Sequence, residues 1–197
     1  MGRQQSTEQR KADILAAALS CFAQRGVAKT TMADICRRAS ASIGSVYHHF
    51  QSKEQLAAEL YLHGIRRAQE TSLGALGAQP SARDAVRSLV LSYLDWVQDN
   101  PDLSRFLLSE RHAEFMALAK PALSAMNQQF RDAITRHLAE HVRRGELLEL
   151  RPEAYSALLV GPAEHLARQW LTGRLPEGLA PAKAQLADAV WRSLAVE

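Results

Sequence analysis

The sequence predicts an all-α protein, on three observations. Ala and Leu are abundant while runs of β-branched residues are absent. Apolar residues recur at three- and four-residue spacings, the period of a helix that buries one face. No segment alternates apolar and polar residues between hairpin-turn signals, as a strand pair requires. The chain has 197 residues, of which 47% are hydrophobic and 23% charged, enough for one or two compact domains with a buried core.

The helices follow in order. From about residue 7 to 24, Ile14, Leu15, Ala18, Leu19 and Phe22 form one apolar stripe, and Gly26 follows as a stop. Thr31 stands three residues before Asp34, the spacing at which each side chain satisfies the other's free backbone N–H, and opens a short helix ending near Ala39. Two residues, Ser40 and Ala41, connect it to a third short helix that begins at Ser42 and runs through Ile43, Gly44, Ser45, Val46, Tyr47 and His48. Ser52 caps a longer helix carrying Leu56, Leu60 and Ile65, which fades into the Gly- and Ser-containing stretch from Thr71 to Ser81. Longer helices are expected over residues 82–99, 102–118, 121–144, 153–173 and 181–195, punctuated by Asn100–Pro101, Pro121, Gly145 and Gly173 and reopened by Pro181.

Charge divides the chain near residue 53. Residues 1–53 hold eight basic residues against three acidic, a net of +5, and the remainder holds 16 against 18, a net of −2. A basic head on a slightly acidic body suits a polyanion-binding module joined to a part with another task. The expected domains are a helix-turn-helix head over 1–53 and an effector-binding and dimerisation domain over 54–197, with the helix over 53–75 linking them. A short helix, a tight turn and a second short helix form a helix-turn-helix, whose second helix fits the DNA major groove, about 12 Å wide. Helix lengths alone would equally suit a compact three-helix bundle. Ser42, Gly44 and Ser45 keep the outer face of the second helix low, while Val46 and Phe50 read as its inward anchors.

The run TTMADICRRASASIGSVYHHFQSKEQL, from Thr30 to Leu56, resembles the DNA-binding domain of TetR-family transcriptional regulators. The match rests on a Thr-capped helix with Ile at its core, a recognition helix ending in Tyr-x-His-Phe, and Lys-Glu-x-Leu opening the next helix. Here these are Thr31, Ile35, Tyr47, His49, Phe50, Lys53, Glu54 and Leu56. The upstream ILAAALSCFAQRGVAKTT is similar to the family's first helix. The likeness covers about residues 10–60, and past that point it is one of architecture. Ser40 departs from it, since the family has Gly in the turn, where a residue without Cβ turns left-handed most easily.

The resemblance implies that Tyr47, His49, Lys53 and Thr31 meet phosphates, and that Ser42, Ile43, Gly44, Ser45 and His48 read bases, with Ala33 and Arg37 from the preceding helix. Lys29, Arg10, Lys11 and Arg3 are further phosphate contacts, Arg3 on a tail expected to fray. None of the base readers is an Arg or Asn set for a bidentate pair, so apolar contacts and DNA shape carry part of the specificity.

A single helix-turn-helix buries too little DNA surface for strong specific binding, and such modules act as two-fold pairs on half-sites about 34 Å or more apart. The resemblance places the dimer interface on the last two helices, with Leu158, Leu159, Leu166, Trp170 and Leu171 in one and Leu186, Val190, Trp191 and Leu194 in the other. Gly161 and Pro162 permit a kink or close crossing there. It also implies an effector cavity, for which the candidates are Tyr61, Tyr93, Trp96, Phe106, His112, Phe115, Met116, Met126, Phe130 and His165. Their apolar and aromatic character favours a hydrophobic or amphipathic small molecule.

His137 and His141 stand four apart on a helix but lack a third ligand, so no metal is assigned. Cys21 and Cys36 read as buried structural thiols, too few for a disulfide framework. No nucleophile elbow, phosphate-cradling Gly loop or acidic metal cluster occurs, so neither an enzyme nor a cofactor is expected. No apolar run reaches about 18 residues and the start lacks a signal peptide's apolar stretch, so a cytoplasmic protein without membrane contact is expected. The reading is a homodimeric repressor that binds a palindromic DNA operator and is released by a small-molecule effector. Two alternatives stay open: a regulator that activates or answers a protein partner, and a helical ligand-binding or scaffold protein whose helix-turn-helix no longer binds DNA, which Ser40 admits.

Overall fold

The computed structural model describes residues 2–77, 79–111 and 113–196, with side chains from Thr7 onward. Among these residues the chain is all-α, with nine helices, no strand and a lone antiparallel bridge between Leu147 and Ala195. The helices are α1 Gly2–Lys29, α2 Met32–Arg38, α3 Ile43–His49, α4 Lys53–Leu76, α5 Ala82–Asp99, α6 Pro101–Ser109, α7 Met116–Arg143, α8 Pro152–Leu171 and α9 Ala180–Leu194. None of the helices is long and apolar enough to cross a membrane.

Packing divides the chain into two compact units, Met1–Gly64 with Asp102–Ala122, and Ile65–Pro101 with Leu123–Glu197. In the first, α1 turns the stripe of Ile14, Ala18 and Phe22 inward and breaks at Gly26, where φ is 76°. The Thr30 hydroxyl donates to the Gly26 carbonyl at 2.8 Å and closes that break. Phe106 stacks on Phe22 and on Phe115, with ring centroids 5.7 and 6.1 Å apart, and Tyr61 meets Phe106 edge-on at 6.2 Å. Fully burying side chains of this size contributes about 1.5–3 kcal/mol each. Gly64 brings α4 close against α6, because a Cβ there would meet Leu103 Cδ1 at 3.0 Å and Leu107 methyls at 3.1 Å.

In the second unit α5 packs against α8 and α9 and buries Val86, Leu89, Val90, Leu94, Trp96 and Val97. Ser81 caps α5 by accepting the Asp84 N–H at 3.1 Å. Arg83 and Arg87 both pair with Asp188 on α9, and Lys183 pairs with Asp95. The end of the chain returns to the loop after α7, where the Leu148 N–H donates to the Leu194 carbonyl at 2.9 Å and the Val196 N–H to that of Glu146 at 3.2 Å.

Two boundaries differ from the sequence expectation. The break expected at Pro121 lies upstream, between Ser109 and Met116, and α7 runs through Pro121. Pro121 and Ala117 are both exposed, which leaves the carbonyl freed by the missing proline N–H on the solvent side of the helix. The stretch from Thr71 onward does not fade but stays helical to Leu76, with Ser72 and Leu76 buried, since packing outweighs the low propensity of Gly74.

Candidate nucleic-acid interface

The interface starts from two helix caps and a turn. At Thr31 the capping box is complete: the Asp34 N–H donates to Thr31 Oγ1 at 3.2 Å, and the Thr31 N–H donates to Asp34 Oδ2 at 3.1 Å. The Thr31 hydroxyl also donates to Asp34 Oδ2, at 2.7 Å. These bonds hold the Asp34 carboxyl below the ordinary aspartate range, Thr31's hydroxyl first and then its N–H, with Arg25 and Arg37 adding to the effect. A phosphate at Thr31 must therefore compete with Asp34 for the hydroxyl proton.

The turn after α2 is a left-handed cap centred on Ser40, the only described residue other than glycine with positive φ, at 48°. The Ala41 N–H donates to the Cys36 carbonyl at 3.0 Å and the Ser40 N–H to that of Arg37 at 3.4 Å, the paired bonds of a Schellman motif. The departure from glycine leaves the geometry of the turn in place. Ser42 then caps α3, its Oγ accepting the Ser45 N–H at 3.2 Å.

The short α3 is anchored by Val46 and by its cap residue Phe50, both fully buried. Anchoring that face turns the other to solvent: Ile43 is 60% exposed, Tyr47 46%, and Ser42, Gly44 and His48 are exposed beside them. A Cβ on Gly44 would meet nothing within 4 Å, so the backbone there lies open to close approach. Ser45 and His49 are half-buried, and the rings of His48 and His49 meet edge-on at 5.4 Å. Thr31, Lys29 and Arg37 are exposed on the preceding elements. Lys53 is half-buried, and its Nζ donates to the Ala28 carbonyl at 3.3 Å, which brings it to the turn that bears Lys29.

Lys11 differs from the expectation of a phosphate contact. Its ammonium pairs with Glu59 on α4 and lies 5.7 Å from the Phe50 ring centroid, so it braces the head. Residues 48 positions apart leave no local spacing to read, and only packing brings this pair together. The side chain of Arg3 lies outside the described residues. The Arg25–Asp34 link, at 3.3 Å between α1 and α2, is likewise absent from any sequence spacing.

Among the effector candidates, Tyr61, Phe106 and Phe115 come together as the buried aromatic cluster of the first unit, which also holds half-buried Met116. Trp96, in the second unit, is buried with its indole N–H unpartnered, and Tyr93, Met126 and Phe130 are half-buried there. His165 is exposed on α8, its Nε2 2.8 Å from the Gln169 amide nitrogen. His112 lies outside the described residues.

Among the dimer candidates, Leu159, Val190 and Leu194 are buried within the chain itself, which removes them from any partner-facing surface. Leu158, Leu166, Trp170, Leu171, Leu186 and Trp191 remain half-buried and present apolar surface. Cys21 and Cys36 are buried free thiols, and burial pushes the Cys21 thiol up, away from the thiolate. His137 Nδ1 sits 2.8 Å from the Ala133 carbonyl and His141 Nδ1 2.7 Å from Glu146. Among the described residues no group of three or more His, Cys, Asp or Glu gathers.

Residues 14–60 match the family model described as bacterial regulatory proteins, tetR family. The chain is 34% identical over 131 residues to the HTH-type transcriptional repressor KstR2 of Rhodococcus jostii, a match covering 59% of this chain and 64% of that relative. It is 29% identical over 180 residues to the HTH-type transcriptional regulator TtgR of Pseudomonas putida, covering 85% of this chain and 82% of TtgR. The transcriptional regulator FadR from Bacillus subtilis, solved in complex with stearoyl-CoA, shares the fold with a TM-score of 0.76 at 15% identity, over 91% of this chain and 96% of that one. Residues 14–60, which hold the capped helices and the Ser40 turn described above, thus match the tetR-family DNA-binding domain, and the fold of solved TetR-family regulators extends along almost the whole chain.

Proposed function

We propose that the chain is a cytoplasmic homodimeric repressor that binds a palindromic operator and is released by a hydrophobic or amphipathic small molecule. The observation that carries the DNA reading is the exposed face of α3, with Ile43, Gly44, Tyr47 and His48 outward on a helix held from behind by Val46 and Phe50. A helix so anchored enters a major groove without refolding. Ser42, Ile43, Gly44, Ser45 and His48 take the base edges in this reading, with Arg37 beside them. Thr31, Tyr47, His49, Lys53 and Lys29 take phosphates. Residues 1–53 act as the reading head, α4 as the link, and the remainder as the sensing and dimerising body.

Dimerisation is assigned to α8 and α9 through the half-buried Leu158, Leu166, Trp170, Leu186 and Trp191. The exposed Gly161, with open space where a Cβ would stand, suits a close helix crossing. The effector reading is supported by the apolar and aromatic candidates, by the buried Trp96 N–H that a ligand oxygen would satisfy, and by the stearoyl-CoA held by the B. subtilis FadR fold relative. An effector releases DNA by binding one packing of the helices better than another.

A gel-shift titration with DNA from upstream of the protein's own gene, at rising salt, tests the central reading. Sub-micromolar binding that weakens steeply with salt is expected, and no binding below micromolar concentration at low salt refutes it. Sedimentation of Trp191→Glu tests the interface, with a shift from dimer to monomer expected.

A further inference from the structure

Asp34 is half-buried, its side chain 15% exposed, and lies between two arginines that are far more open, Arg25 at 56% and Arg37 at 75%. Its carboxylate accepts from the Thr31 N–H and hydroxyl and stands 3.3 Å from Arg25 Nη1 and 3.6 Å from Arg37 Nη2. Main-chain N–H, hydroxyl and two guanidinium groups converging on one anionic group form the donor set that a DNA phosphate recruits. We propose that Asp34 is an internal substitute for a phosphate, which withholds Arg25 from the DNA backbone and restrains Arg37. The head thereby gives up non-specific affinity and gains discrimination between sequences. This rests on the α2–α3 face being the DNA interface.

The asymmetry in mobility decides which partner moves. Asp34 is tied to the cap of α2 by three hydrogen bonds, whereas each arginine is an exposed, flexible side chain held by one weak pair. The arginines therefore leave only where phosphates are presented closely enough to outcompete a carboxylate fixed beside them. A loosely seated, non-specific complex is held mainly by counterion release, so withholding a cation weakens that complex most.

Salt titrations of the full chain by fluorescence anisotropy, on a random-sequence duplex and on the upstream DNA, test the proposal with Asp34→Asn, Arg25→Gln and the double variant, each checked for fold by circular dichroism. Each arginine that reaches a phosphate adds about 0.9 to the magnitude of the log–log salt slope. Asp34→Asn is expected to steepen the slope by about 0.9 on random DNA, as Arg25 is released to a phosphate, an extra loss of about 3.5-fold in affinity between 50 and 200 mM salt. Arg25→Gln alone leaves the slope unchanged, and in the Asp34→Asn background it removes that gain of about 0.9. If Asp34→Asn does not fold, Asp34→Ser, which keeps an acceptor at the cap, takes its place.

An unchanged slope in the folded Asp34 variant overturns the proposal, as does an equal flattening by Arg25→Gln in both backgrounds. A wild-type protein that binds no duplex fails at the earlier step and sinks the regulator reading itself. Binding by wild type with no response to Asp34 removes only the present inference.

Discussion

Replacing Ser40 by glycine should stabilise the head while leaving DNA binding unchanged. The turn holds Ser40 at φ 48°, where a Cβ crowds the following carbonyl at a cost of about 1–2 kcal/mol. Glycine removes that crowding but is freer in the unfolded chain, which costs about 0.5–1 kcal/mol. The side chain is exposed, so its loss removes no packing, and the Ala41–Cys36 and Ser40–Arg37 bonds are made by main-chain groups that glycine retains. The net expectation is a gain of about 0.5–1 kcal/mol. Ser40→Val supplies the opposite sign, because a β-branched residue at positive φ is strained further. Urea denaturation followed by far-ultraviolet circular dichroism reads both variants, and anisotropy at one fixed salt concentration confirms that affinity stays within about twofold. Equal midpoints for Gly, Ser and Val at position 40 would refute the argument, as they would mean that the left-handed turn stores no strain.

Val46→Ala removes the buried anchor of a seven-residue helix and should cost about 2 kcal/mol, with operator affinity falling as α3 loosens; amide hydrogen exchange of residues 43–49 should rise correspondingly. Lys53→Ala should weaken binding on all DNA sequences alike and lower the salt slope by about one, and a sequence-dependent loss would contradict its phosphate role. Hydrogen bonds from Arg83 and then Arg87 hold the Asp188 carboxyl below the ordinary aspartate value. A carboxyl whose folded value is depressed contributes stability above its unfolded value, near 4, that is lost as the pH falls through the folded one. Melting temperatures between pH 6 and 3 should therefore fall less steeply for Asp188→Asn than for wild type, and parallel curves would show that the α5–α9 link adds nothing to acid sensitivity.

The head could be read from sequence because its contacts are short-range. Thr31 with Asp34, Ser42 with Ser45, and Ser52 with the Gln55 N–H are spaced three apart, and each cap appears in the structure as the spacing implies. Val46 and Phe50 were recognisable as anchors from their periodicity alone. The body carried less local information. Pro121 was a reasonable stop signal, but its effect depends on whether the freed carbonyl meets water or protein, which position in the chain does not encode. Leu158 and Leu159 are adjacent in one apolar stripe, yet Leu159 is spent on the chain's own core while Leu158 keeps open surface.

The sequence by itself determined most of the helices, the caps at Thr31 and Ser52 and the basic character of the first 53 residues, because each depends on neighbours within a few positions or on composition. Tertiary packing alone decided how that charge is used. Lys11 is spent on Glu59, Lys53 reaches the Ala28 carbonyl, and Arg25 is held by Asp34. A long charged side chain takes whatever partner the fold brings within about 4 Å, and those partners lie 9 to 48 residues away along the chain.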